Sequence, residues 1–286
     1  MLQEITRLER RLLKAASQAI ADHQLVENGD RILVAVSGGK DSYTLLHLLM
    51  RLKERAPVHF DLVATNLDQG QPGFPADVLR RHFESVGVPH VMLSEDTYSI
   101  VKRLVPEEKT TCPVCSRLRR GILYNKAVEL GCTKIALGHH RDDLIETLLL
   151  SALYSGRLKS MPARLRSDDG RNVVIRPLCY AAEEDIARFS ELMRFPIVPC
   201  DLCGSQPNLR RKKVKELLRQ LSAENPNVKG NLLNALQTVV PSHLLDRGLQ
   251  ARLAEAGAED PWLDEEDEGC GDLPPEAQAL LTIGRR

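Results

Sequence analysis

Flat side chains are scarce in this sequence: Phe, Tyr and Trp make up 4% of 286 residues, and Trp262 is the single tryptophan. Platforms on which an unpaired base could stack are correspondingly few. Long apolar runs are missing too, and none approaches the ~20 residues a membrane-spanning helix needs. The opening Met1-Leu2-Gln3-Glu4-Ile5 runs into charged positions instead of the apolar stretch of a secretory signal, so a cytoplasmic protein is expected. Two common phosphate signatures are absent. Walker A needs Ser or Thr after Gly-Lys, where Asp41 stands, and no Gly-x-Gly-x-x-Gly of the dinucleotide-binding kind occurs. The seven cysteines are an odd number, which argues against a disulfide framework in a chain with no export signal. Net charge is zero, but residues 1–254 carry 37 basic against 29 acidic side chains and residues 255–286 carry 2 against 10. A basic body suits a polyanionic partner, and the acidic tail suits a solvated or self-shielding segment.

What is present is an alternation of strands and helices. Leu2, Ile5, Leu8, Leu12, Leu13, Ala16 and Ile20 fall at helical spacing. The apolar run Arg31–Val36 predicts a buried strand, followed by a glycine turn and a helix from about Asp41 to Lys53. Further strands are expected at residues 60–65, 90–93 and 134–137, with helices at 76–86, near 116–130 and after Asp143. Residues 156–172 look like a long surface loop, and the pattern is helical from about 182. This order calls for an α/β fold with a mostly parallel, Rossmann-like sheet flanked by helices. Ligands of such sheets bind beyond the carboxyl ends of the strands, where the loops 37–42 and 138–143 should meet.

The turn itself reads Ser37-Gly38-Gly39-Lys40-Asp41-Ser42. Glycines let backbone N–H groups approach an anion, and the helix N-terminus adds partial positive charge. The Ser37 and Ser42 hydroxyls and the Lys40 ammonium can contact phosphate oxygens directly. Asp41 would repel phosphate, so its natural role is to hold Mg²⁺ between itself and a nucleotide. A bare Gly-Gly would more often be an ordinary tight turn; the full hexamer between strand and helix points to phosphate.

Cys112 and Cys115 form a Cys-x-x-Cys pair at the entrance to a helix, close to Arg117, Arg119 and Arg120, where thiolates are favoured. Cys200 and Cys203 form a second pair. Spacing alone would also allow a four-cysteine zinc site. Cys132 and Cys179 lie in apolar segments and read as small buried side chains. In His139-His140-Arg141-Asp142-Asp143 the acids suit either Mg²⁺ or target-base contacts, or simple capping of a helix N-terminus.

The hexamer resembles the PP-loop of the N-type ATP pyrophosphatases, of the adenine nucleotide alpha hydrolase-like kind, which adenylylate a carbonyl oxygen and release pyrophosphate. Several segments together, in the same order over most of residues 1–247, resemble the tRNA 2-thiocytidine synthetase family: Ser37–Ser42, Asn66–Gln69, Gln71–Pro75, Cys112–Gly121, Gly138–Asp143, Cys203–Asn208 and Val240–Leu244. The resemblance implies ATP-dependent thiolation of cytidine 32 in tRNA, with Mg²⁺ and an oxygen-sensitive [4Fe–4S] cluster on Cys112, Cys115 and Cys203. Cys200 is then a spare thiol. Gly138 and His139 join residues 37–42 in the nucleotide set, and Asp41, Asp142 and Asp143 are the candidate catalytic acids. It further implies a homodimer and a sulfur donor such as a cysteine desulfurase system. Candidate tRNA contacts are Arg117, Arg119, Arg120, Arg157, Lys159, Arg164, Arg166 and the run Arg210, Arg211, Lys212, Lys213, Lys215, although each alone also suits a solvated surface charge. The implied organisation is a helical segment at 1–30, the ATP-binding domain at 31–200, a helical part at 201–254 that completes the site, and a tail at 255–286 expected to be disordered. Lysidine synthetase shares the PP-loop but has no use for the cysteine pairs, and a zinc-stabilised RNA-binding protein is the rival from another class.

Overall fold

The computed structural model describes residues 1–105, 112–198 and 209–255, without the side chains of Cys112, Pro113 and Leu209. Its centre is a six-stranded sheet. In chain order the strands are β1 (Asp30–Ala35), β2 (Phe60–Asp68), β3 (His90–Ser94), β4 (Lys134–Ala136), β5 (Arg164–Arg166) and β6 (Val173–Ile175), and they lie side by side as β3-β2-β1-β4-β6-β5. All neighbours are parallel except β5 and β6, which pair antiparallel at the edge. A strand covered on both faces must be apolar throughout, and Ile32, Leu33 and Val34 of β1 are fully buried.

Helices clothe both faces. On one side α1 (Leu2–Asp22) and α7 (Glu183–Met193) pack with α2 (Lys40–Lys53), which buries Tyr43, Leu45, Leu46, Leu48 and Leu49. The helical spacing of α1 is realised by burial of Leu8, Leu12, Ala16 and Ala19. On the other side α5 (Cys112–Glu129) sets Ala127 among Leu33, Val63, Cys132 and Ile135. The remaining helices are α3 (Ala76–Val86), α4 (Thr97–Leu104), α6 (Arg141–Ser155), α8 (Leu209–Glu224), α9 (Val228–Gln237) and α10 (Arg247–Glu255), with a 3-10 turn at Pro241–His243. Among the described residues no helix is long and apolar enough to cross a membrane.

The strand order reverses beside β1. From there the chain moves outward through β2 and β3, then returns to place β4 on the opposite side. The loops that leave the carboxyl ends of β1 and β4 therefore run to opposite faces and open a crevice between them, the place where such sheets bind ligands.

Several elements differ from expectation. The loop expected at 156–172 contains β5, whose three residues are all exposed and include a single apolar side chain, Leu165, between two arginines; its partner strand β6, Val173–Ile175, was not expected either. Helix α5 starts at Cys112, earlier than 116, and α4 was not foreseen. The chain divides into two compact units at Leu233/Asn234. Val214 and Leu218 of α8 pack with Ile145 of α6, which makes α8 part of the first unit. In the second, the 3-10 turn packs with α10, and Gln250 donates to the Leu244 carbonyl at 2.7 Å. Residues 256–286 lie outside the described residues.

Candidate active site

The glycine turn leaves β1 and enters α2. Asn66 on β2 donates to the Val36 carbonyl at 2.8 Å and fixes the exit from the strand. Gly38 has φ +89°, a left-handed conformation, and a Cβ there would lie 2.8 Å from Val198 Cγ2. Val198 also donates its N–H to the Gly38 carbonyl at 2.9 Å. The turn is thus closed on one side by the chain that leads toward Cys200 and Cys203. Gly39 is the N-cap of α2 in extended conformation and offers no capping side chain, so the first N–H groups of the helix face outward, as anion sites require. Ser42 Oγ donates to the Gly39 carbonyl at 2.9 Å, and Ser37 Oγ lies 3.4 Å from Ser42 Oγ. Gly138, after β4, comes so close that a Cβ would sit 3.1 Å from the Ser42 nitrogen. The two loops meet through this glycine.

A chain of charges crosses this edge. Lys40 Nζ lies 2.8 Å from Asp41 Oδ1 and 3.2 Å from Glu183 Oε1 of α7. Burial opposes the Lys40 charge, but the hydrogen bond and charge of Asp41, together with Glu183, raise its pKa. His140 Nε2 stands 3.6 Å from Asp41 Oδ1 and 3.5 Å from Asp143 Oδ2. His140 is the N-cap of α6 and forms a reciprocal capping box with Asp143. Asp143 also pairs with Arg211 of α8 at 3.2 Å. Asp142 is 2% exposed; its Oδ2 accepts from the Glu183 N–H at 2.9 Å and its Oδ1 lies 2.7 Å from Lys229 Nζ. Burial would raise the Asp142 pKa, yet the bonds from Lys229 and the Glu183 N–H, with the Arg141 charge, hold it below the usual carboxylate range. Glu146, also 2% exposed, shows the reverse: burial outweighs Lys215 and Arg211 and pushes its pKa up.

The sequence motifs are brought together unevenly. Cys115 is half-buried and its thiol donates to Gln69 Oε1 at 3.0 Å, just beyond the carboxyl end of β2, so Cys115 reaches the same edge of the sheet as the glycine turn. Cys112 opens α5 one turn earlier. Cys200, Cys203 and Cys270 lie outside the described residues. Cys132 and Cys179 are buried, and burial pushes the Cys179 thiol up to about 12. His139 accepts from Arg176 Nε at 3.3 Å. Arg117, Arg119, Arg120, Arg157, Lys159, Lys212 and Lys213 are exposed. Arg164 pairs with Glu27 and Arg166 bonds the Gly170 carbonyl, while Arg210 lies over the Tyr154 ring. Arg211 and Lys215 are turned to the carboxylates of the site.

Sequence reasoning did not single out Glu183, Glu146, Lys229 or Val198. A cluster of acids in the first turn of α7, Glu183-Glu184-Asp185, was the available signal for the first of these, but it reads equally as dipole complementation. A cleft of about 330 Å³ lies at the other end of α2, lined in part by His47, Met50, His82 and Phe195. It holds none of these charges and no helix N-terminus, so the chemistry belongs to the glycine edge.

Nucleotide phosphates fit that edge, and the fold with its reversal at β1 is that of the PP-loop class; the PP-loop domain profile matches residues 6–220. A tRNA-cytidine(32) 2-sulfurtransferase of Anaeromyxobacter dehalogenans is 73% identical over 286 residues, covering 99% of this chain and 98% of that one. One of Burkholderia vietnamiensis is 54% identical, covering 98% of this chain and 85% of its own. The chain belongs to the tRNA-cytidine(32) 2-sulfurtransferase family of ATP-dependent PP-loop enzymes. Among solved structures, the U34-tRNA thiolase NcsA from Methanococcus maripaludis with its [4Fe–4S] cluster superposes with TM-score 0.62 at 19% identity, covering 86% of this chain and 80% of that one. At that identity the likeness speaks for the fold alone.

Proposed function

We propose that this protein converts cytidine 32 of tRNA to 2-thiocytidine. The C2 oxygen of the base attacks the α-phosphate of ATP and pyrophosphate leaves; sulfide then attacks C2, and the oxygen departs with AMP. An amide-like oxygen is a poor leaving group until it carries the adenylyl group, which is why ATP is needed. The meeting of the glycine turn and Cys115 at one sheet edge, in a chain closely related to proteins of that name, carries the reading.

The chain's residues divide the work. The α2 N-terminus with Ser37, Gly38, Gly39 and Ser42 holds the phosphates, with Gly138 and His139 closing the nucleotide side. Asp41 would hold Mg²⁺ against them; the Lys40 ammonium 2.8 Å from its carboxylate already marks the place as one that attracts a cation. Asp142 and Asp143 belong to the catalytic loop, and their partners give them a bracing duty as well: Asp143 reaches Asp41 through His140, and Asp142 ties α6 to α7. Cys112 and Cys115, one turn apart on one helix face, suit two corners of a [4Fe–4S] cluster, and the third ligand is assigned to Cys203. Cys203 stands five residues beyond Val198, a reach of about 18 Å at full extension. A cluster held by three thiolates would leave one corner at which it could supply sulfur. Arg117, Arg119, Arg120, Lys212 and Lys213 are the exposed cations proposed for tRNA phosphates, and a homodimer and a cysteine desulfurase system are the proposed partners.

Nucleoside analysis of tRNA from cells lacking the protein tests the substrate: 2-thiocytidine alone should disappear, and its persistence would refute the proposal. Asp41→Ala should stop pyrophosphate release while the cluster remains, and undiminished release would remove the Mg²⁺ role. Anaerobic purification should yield a brown protein; a colourless zinc protein would sink the cluster assignment.

A further inference from the structure

Glu183 belongs to neither chemical loop, yet it stands between two ammonium groups at the heart of the site. Its Oε1 lies 3.2 Å from Lys40 Nζ and its Oε2 lies 3.4 Å from Lys215 Nζ. Its backbone is fixed, because its N–H donates to the buried Asp142 at 2.9 Å. Lys40 is shared: the same ammonium is 2.8 Å from Asp41. An ammonium that close occupies the position from which a divalent cation would approach Asp41, and two cations at one carboxylate oxygen repel each other. Lys40 must therefore release its hold on Asp41 as a metal binds there, and Glu183 is the carboxylate already within reach of it.

We infer that Glu183 is a positioning residue that receives the Lys40 ammonium when Asp41 exchanges it for Mg²⁺. This inference rests on the proposed Mg²⁺ role of Asp41. Glu183 does not touch the reacting atoms. It lets Lys40 pivot between two partners with little loss of pairing, so that loading the metal does not strand a half-buried positive charge. Lys215 holds the other oxygen, which keeps the carboxylate in place while Lys40 moves. No bond is made or broken in the exchange.

The test measures binding of ATP itself, with Mg²⁺ and with a chelator, so that catalysis and the cluster do not enter. In the wild type Mg²⁺ should tighten ATP binding. In Glu183→Gln no second carboxylate charge draws the Lys40 ammonium away from Asp41, and the tightening by Mg²⁺ should fall about fivefold or more. Binding in chelator should be unchanged or stronger, since one negative charge near the phosphates is gone. Adding Lys40→Met to Glu183→Gln should restore the ratio of binding with Mg²⁺ to binding in chelator, whatever absolute affinity the phosphate contact of Lys40 contributes, because nothing then competes for Asp41. A role in fold stability alone predicts no such restoration. The inference is overturned if Glu183→Gln keeps the wild-type Mg²⁺ effect, or if the double variant fails to recover it. Lys40→Met alone should lower the Mg²⁺ concentration needed for half-maximal tightening, and an unchanged midpoint would also count against it should Glu183→Gln fail to fold. Asp41→Asn separates the two readings: if it retains the Mg²⁺ effect, the metal role of Asp41 itself is what fails.

Discussion

Cys112 and Cys115 stand at the first and fourth positions of α5, so the two positions fall on one helix face at an end where the dipole favours negative charge. A single thiolate more is what separates this arrangement from an ordinary reactive pair. Cys203→Ala should abolish cluster retention, read as loss of iron and of broad visible absorption, while ATP binding survives; normal iron content would overturn the ligand assignment. His139 supplies a pH dependence at the same scale. Burial first, then the neighbouring Arg176 charge, lowers its pKa from 6.5 to about 4. The unfolded chain therefore binds more protons than the folded one as pH falls from 6.5 toward 4, and stability is lost through that window. At full extent the loss is on the order of 3 kcal/mol. His139→Gln keeps an acceptor for Arg176 and does not titrate, so the urea midpoint of the variant should vary less between pH 7 and pH 4.

At the scale of elements, the N-terminus of α6 joins three helices. His140 and Asp143 cap it reciprocally, Asp142 accepts from the first turn of α7, and Lys229 of α9 closes on Asp142. Asp142→Ala should lower stability by about 2 kcal/mol, because it removes the acceptor of the Glu183 N–H and one partner of an ion pair. Asp142→Asn should cost about half as much, since the amide oxygen still accepts that N–H. Denaturant midpoints at constant m-value check both. A fall in turnover in Asp142→Asn without a matching loss of stability would instead mark the residue as one that touches the reacting groups. Elements of this size were legible where one face is buried over several turns: α3 spans Ala76–Val86 as its apolar spacing predicts. Of the three-residue strands, β4 was legible from its apolar run at 134–137, whereas β5 and β6 were not, because a run that short has no period to display.

For the whole molecule the governing feature is the opposition of a basic body and an acidic tail. Removal of residues 256–286 takes away nine acidic and two basic side chains. The truncated protein should bind tRNA about threefold more tightly at low salt, where the screening length is about 30 Å at 0.01 M, and the difference should shrink at 0.15 M, where it is about 8 Å. Filter binding at the two salts measures this; equal or weaker binding of the truncated chain at low salt would show that the tail does not shield the basic face.

The sequence by itself determined the class of the fold and the two chemical loops. Alternating apolar runs specify a parallel sheet, and Ser37–Ser42 with Gly138–Asp143 mark its functional edge, because glycine, hydroxyl and acid side chains at a strand end have few other uses. It also named the cysteines, since spacing is a property of the chain. Only the tertiary structure decided which charges share a partner. That Lys40 stands between Asp41 and Glu183, 142 residues apart, follows from α7 packing on α2. That Arg211 and Lys215 turn from the basic run toward Asp143, Glu146 and Glu183 follows from α8 packing on α6. Contacts of this kind depend on distance in space, and a linear pattern carries no record of which helix faces will meet.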